Sequence, residues 1–205
     1  MPPGFPAWKT VYWYFTTWKN DGALYRVHTG LRKAVRTAAG RAPQPSAAVV
    51  DSPPARAADT VGAATRGWDN GKKVNGRKRH IVADTAGNLL AVAITPANRH
   101  DTAAARTLVD HIAARCGRVG LVWADSSYHG RLADYAAEAG IDLEIVRTQD
   151  GQTTFVVLPR RRVVERTFAR ISKHRRRARD YERNPANQAA MTLWASATRM
   201  LNHPT

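Results

Sequence analysis

Between residues 47 and 146 the chain sets out short apolar runs in an order that implies a mixed sheet. Ala47-Ala48-Val49-Val50 gives out at Asp51. His80-Ile81-Val82-Ala83 and Leu89-Leu90-Ala91-Val92-Ala93-Ile94 flank Asp84-Thr85-Ala86-Gly87-Asn88, the pattern of a hairpin. Val119 to Ala124 is a fourth run, again stopping at an aspartate, Asp125, and Ile141, Leu143 and Ile145 alternate as in a half-buried strand. Between the later runs, Asp101-Thr102 predicts the cap of a helix reaching Arg115, with Ala105, Leu108, Val109 and Ile112 inward. A helix over 130–139 ends at Gly140. A hairpin followed by strand–helix alternation implies an α/β fold, a mixed sheet with helices on its faces.

The flanks read as helical. Residues 7–19 place Trp8, Val11, Tyr12, Phe15 and Trp18 on one stripe, expected to pack into the core. A second helix with Leu24, Val27, Leu31 and Val35 inward stops near Gly40. Pro43 and Pro45 then form a linker, which divides the chain into a helical segment, 1–42, and a sheet domain, 43–203. Near the end, Phe155 to Leu158 reads as a last strand, followed by helices over 161–179 and 185–202, the second carrying Met191, Leu193, Trp194, Thr198 and Leu201. Segment 52–79 fits neither period; polar and rich in glycine and proline, it is expected to be a functional or disordered loop.

Charge then narrows the partner. The 205 residues hold 32 Lys+Arg against 16 Asp+Glu, a net +16, while 43% of them are hydrophobic, enough for a core. The excess lies at the ends: +6 over 1–45, +1 over 46–150 and +9 over 151–205. Basic ends around a near-neutral middle point to a polyanionic partner, most simply nucleic acid, gripped from two sides. No apolar run approaches the roughly 18 residues of a membrane span, and the first residues lack a signal-peptide layout. The sole cysteine, Cys116, excludes a disulfide framework and a multi-cysteine zinc site, and it is expected to be buried. These features predict a cytoplasmic protein with no membrane partner.

Three carboxylates invite a chemical reading. Asp51 and Asp125 stand where apolar strands give out, at the rim where open sheets form sites, and Glu165 lies early in a helix. Hard oxygen donors without convincing His or Cys partners suit Mg²⁺ or Mn²⁺. A strand-end aspartate also commonly caps the next turn. Glu165, four residues after Arg161, also makes an ordinary helical ion pair. Spacing leaves both readings open. His80, His100, His111 and His129 form no ligand pattern, and Gly71-Lys72-Lys73 lacks the glycine spacing of a phosphate loop.

The stretch from Gly67 to His80, GWDNGKKVNGRKRH, resembles the "GxDxGKKxxGRKRH" signature of bacterial insertion-sequence DDE transposases of family five, within the family-four-like group. Val50-Asp51-Ser52 precedes it, Trp123 to Tyr128 matches "WADxxY", Leu158 to Ala169 matches "LPRRxVVERTFA", and Arg179 to Arg183 is similar to "KDYER". The resemblance spans about 47–202 and implies a ribonuclease-H-like fold. It also implies catalytic and metal-holding roles for Asp51, Asp125 and Glu165, with two Mg²⁺ ions, Mn²⁺ as substitute, roughly 3.5–4 Å apart. Lys72, Lys73, Arg77, Lys78, Arg79, Arg161, Arg162 and Lys173 would contact the DNA, Arg161 and Lys173 as the basic residues flanking the third acid. The implied activity is metal-dependent cleavage and strand transfer on double-stranded DNA, transposon ends and target, by a homodimer or larger assembly. This chain departs from the family where Ser52-Pro53-Pro54-Ala55-Arg56 replaces "SQSVK", at Leu158, and at Ser172. Its opening resembles the last two helices of a longer N-terminal region, so truncation is expected. The alternatives are a truncated, catalytically inactive remnant that only binds DNA and a basic RNA-associated protein.

Overall fold

The computed structural model of the protein describes residues 3–128, 130–146 and 159–202. Two helices come first, α1 (Trp8–Asn20) and α2 (Ala23–Ala38). Five strands follow: β1 (Ala47–Asp51), β2 (Pro54–Arg56), β3 (Gly67–Asp69), β4 (Val74–Asp84) and β5 (Leu89–Pro96). Then come α3 (Thr102–Arg115), β6 (Leu121–Ala124), α4 (Leu132–Glu138) and β7 (Asp142–Ile145), and last α5 (Pro159–Ser172), α6 (Arg175–Ala178) and α7 (Pro185–Asn202). The expected strand over 155–158 lies outside the described residues.

The sheet runs β5–β4–β1–β6–β7. The first three strands are antiparallel, and β1/β6 and β6/β7 are parallel. With helices on both faces this is the ribonuclease-H-like arrangement. Alternation of side chains fixes the layers. Ala48, Val50, Val82, Val122 and Ala124 meet Leu108 and Ile112 of α3 and Leu132 and Ala136 of α4 on one face. On the other, Val49, Ile81 and Leu89 meet Val164, Phe168 and Ile171 of α5 and Ala195 of α7. Each fully buried aliphatic side chain here contributes about 1.5–3 kcal/mol through removal from water.

The long polar segment is ordered by pairing with β4. Eleven residues long, β4 takes β1 and β2 end to end along one edge and β5 and β3 along the other. Gly76 permits this, because a Cβ there would stand 1.9 Å from the Ala55 carbonyl oxygen. Strands of three residues, such as β2 and β3, carry too little periodicity to be read ahead of their partner.

Three further expectations are corrected. The α1 stripe is not core: the helix buries no residue, and Trp8, Tyr12 and Trp13 are more than half exposed. In α2 the inward residues are Leu24, His28, Arg32 and Arg36, while Val27 faces out. The expected 161–179 helix is interrupted at Lys173-His174, separating α5 from α6. Cys116 is buried, as expected.

Candidate active site

The parallel register of β1 and β6 pairs Ala47 with Leu121, Ala48 with Val122 and Val49 with Trp123. Two further steps along both chains set Asp125 level with Asp51. Each aspartate shares parity with a residue that packs toward α5, Asp51 with Val49 and Asp125 with Trp123, so both lie on that face of the sheet. Helix α5 crosses the same face on Val164, Phe168 and Ile171 and carries Glu165, which is exposed. Two aspartates on neighbouring strand ends and a glutamate on the covering helix thus share one side of the sheet.

Local backbone geometry holds each aspartate. The Ser52 amide donates to Asp51 Oδ1 at 2.8 Å, and the Ser127 amide donates to Asp125 Oδ1 at 2.9 Å, with the Ser127 hydroxyl on the same oxygen. Each carboxylate is therefore turned back on its own loop, the capping geometry that strand-end aspartates commonly adopt. The donor chemistry, hard carboxylate oxygens, fits a divalent cation. Among the described residues no group of three His, Cys, Asp or Glu side chains stands in metal-holding geometry.

Asp101 joins this end of the sheet. Placed at the start of α3, it makes no side-chain cap. Its carboxylate pairs with Lys78 at 2.9 Å. Burial pushes the Asp101 carboxyl up, but hydrogen bonds from Lys78 and Ser52, the Lys78 charge and the Ser127 hydroxyl outweigh it and hold the group below the usual carboxylate range. The serine after Asp51 and the serine two residues beyond Asp125 therefore meet at one carboxylate. Tyr128 is buried against the same groups: burial raises its phenol above the ordinary tyrosine range, the Ser52 hydroxyl opposes this, and Asp101, Asp51 and Asp125 add to it. Nothing local in the sequence marks Asp101 for this role; only the fold brings β4, α3 and the two strand ends together.

The basic residues divide. Lys72, Lys73, Arg162 and Lys173 are exposed. The side chain of Arg161 lies outside the described residues. Lys78 is committed to Asp101 and to the Arg99 carbonyl. Arg77 is fully buried and all five of its N–H groups are used. Nε donates to the Thr65 carbonyl, Nη1 to Asp180 Oδ2 at 3.0 Å and the Glu182 carbonyl, and Nη2 to the Thr65 hydroxyl and the Arg183 carbonyl. Arg79 is 5% exposed and donates to the Arg177 carbonyl; burial, with Arg177 beside it, lowers its pKa to about 10. In place of phosphates, Arg77 and Arg79 bind the segment around Asp180. His80, bonded to Thr95 and held neutral by burial with a pKa of about 4, is structural as well.

The family described as Transposase DDE domain matches the chain over residues 42–200. No curated protein matches it. Among solved structures, the catalytic core domain of BIV integrase in crystal form I aligns with a TM-score of 0.43 at 12% sequence identity, over 76% of this chain and 82% of that one. No helix among the described residues is long and apolar enough to cross a membrane.

Proposed function

This chain belongs to the transposase DDE domain family, and from that premise we propose that Asp51, Asp125 and Glu165 form the acidic centre of a metal-dependent DNA strand cleavage and strand transfer reaction. The observation that carries the reading is the β1/β6 register, which levels the two aspartates on the face that α5 covers. Asp51 and Asp125, with Glu165 reaching from α5, would hold the cation, for which Mg²⁺ is the natural candidate and Mn²⁺ the substitute. When bound, such an ion supplies Lewis-acid polarisation of the phosphoryl oxygens and an activated nucleophile at neutral pH.

The chain's own residues prepare that centre. The Ser52 and Ser127 amides fix one oxygen of each aspartate and so set how each carboxylate is turned on its strand end. Asp101, held ionised by Lys78 and the two serines, ties the loops after β1 and β6 to one point and limits their drift. This is the positioning a displacement at phosphorus needs, since errors near 1 Å lower rates by about 10²-fold. Lys72, Lys73, Arg162 and Lys173, exposed and cationic, are proposed to contact backbone phosphates of double-stranded DNA, and Arg161 is proposed with them.

The test is incubation of the full chain with a labelled duplex carrying an element end, with and without Mg²⁺, beside Asp125→Asn. Metal-dependent nicking in the wild type, lost in the variant with its melting temperature retained, is the expected result. Duplex binding without nicking by the wild type in either Mg²⁺ or Mn²⁺ would overturn the proposal and leave a DNA-binding remnant.

A further inference from the structure

A second group of cations lies at the opposite end of β1 from Asp51. Asp84 closes β4 opposite Ala48, three residues before Asp51, so the β4–β5 turn stands about 10 Å back along the strand. Around it opens a cleft of about 700 Å³, bounded by the end of α2, the turn itself, one side of α5 and the end of α7. Six of its lining side chains are permanent cations: Arg36, Arg41, Arg166, Arg170, Lys173 and Arg199.

No carboxylate lines the cleft among the described residues. The acid beneath it, Asp84, is fully buried and already committed. It pairs with Arg36 at 2.7 Å and accepts from the Asn88 side chain and from the Ala86 and Asn88 amides. Arg199 registers the imbalance: burial, then the nearby Arg170, lowers its pKa, Asp84 raises it, and Arg166 lowers it again. Arg36 is met by Asp84, but among the described residues no carboxylate lines the cleft for the other five; like charges so gathered repel, and an anion placed among them relieves that repulsion.

The shape is selective. Arg166 and Arg170, four residues apart, share a side of α5 distinct from Val164, Phe168 and Ile171, and Lys173 follows in the turn just past the helix end. They extend about 10 Å at 1.5 Å per residue. That length is enough to touch more than one phosphate of a backbone laid along it. Arg41 faces them across the turn, donating to the Thr85 hydroxyl at 3.1 Å. Planar guanidinium groups bind phosphate oxygens in pairs, and a volume of this order exceeds what one phosphate fills.

We propose that this cleft is a second phosphate-binding site, remote from the aspartates, which grips the backbone of one DNA strand. The proposal rests on the reading of the chain as a DNA-acting enzyme and adds where the strand is held beyond the two aspartates. Full-length Arg41→Gln/Arg170→Gln would be titrated against a labelled duplex over a range of NaCl concentrations. The slope of log Kobs against log salt should fall by about 1.8, two contacts at about 0.9 each, while Arg41→Lys/Arg170→Lys keeps the wild-type slope. Arg41→Gln alone, at an exposed side chain, should lower the slope by about 0.9 and serves if the double variant does not fold. An unchanged slope in a folded variant overturns the proposal. So does a variant that loses binding of inorganic triphosphate while its duplex slope stays that of the wild type, because the site then takes a free anion. Nicking recorded in the same samples separates the two claims. Wild-type nicking with an unchanged variant slope removes the cleft alone; a reduced slope without wild-type nicking removes the proposed reaction alone.

Discussion

A buried arginine persists only where its charge and five donors are met inside the protein, and Arg77 satisfies that condition against Thr65, Asp180, Glu182 and Arg183. Its partner Asp180 is equally buried, so removing the guanidinium strands a carboxylate in the interior. Arg77→Met should therefore lower unfolding free energy in urea by about 3–5 kcal/mol without altering the salt dependence of DNA binding in the folded fraction. A variant as stable as the wild type would mean that Arg77 does not anchor the chain. Composition could not separate Arg77 from Lys72 or Lys73, because all three belong to one basic run and only pairing with β2, β3 and β5 encloses the first. The aspartates were more legible: apolar runs that give out at Asp51 and at Asp125 place each acid at a strand end whatever the partner strand is. Asp101 was not, since the same residue at the start of a helix reads as a cap until β4 brings Lys78 beside it.

At the level of elements, legibility followed the apolar count. Helix α3 and strands β1 and β6 bury the residues their patterns nominate, Leu108, Ile112, Val50 and Val122 among them. Helix α2 does not, because its inward stripe is Leu24, His28, Arg32 and Arg36, three of which count as polar. They go inward because partners await them: His28 bonds Ser196 of α7 at 3.0 Å, Arg32 reaches the Gln44 side chain, and Arg36 meets Asp84. Burial, reinforced by Arg32 and Arg199, lowers the His28 pKa to about 4. A depressed folded-state pKa adds stability that is full above the unfolded value of about 6.5 and is lost as pH falls toward 4. By pH 5 this amounts to about 2 kcal/mol for His28, and about as much again for His80, whose pKa burial also lowers to about 4. Urea midpoints at pH 7.5, 6 and 5 should decline accordingly, and His28→Gln should remove about half of the decline. An identical decline in the variant would place the acid sensitivity elsewhere than the α2–α7 seam.

Over the whole molecule, the chain's two basic ends come together. Helix α2 packs on α7, and Arg36 and Arg41 from the first end face Arg166, Arg170 and Lys173 from the last across one cleft. Parts of the +6 and +9 segments thus line one cleft, a convergence that a linear charge profile cannot express. The same packing makes α2 part of the core and leaves α1 outside it, since α1 buries nothing and is tied down late in its length, through Trp18 against Trp194 and Lys19 to Asn187. The proline linker after residue 42 is therefore a poor place to cut. Deleting 1–17 keeps both ties and should shift the melting temperature by less than about 2 °C. Deleting 1–42 removes Arg36 from buried Asp84 and uncovers the α7 seam. The stranded charge alone costs about 3–5 kcal/mol of a total stability of about 5–15 kcal/mol, so the shortened chain should lose its cooperative transition or melt far lower. Calorimetry on the two deletions decides it. A 43–205 chain that unfolds cooperatively near the full-length temperature would show that the sheet domain stands alone and that α2 merely rests upon it.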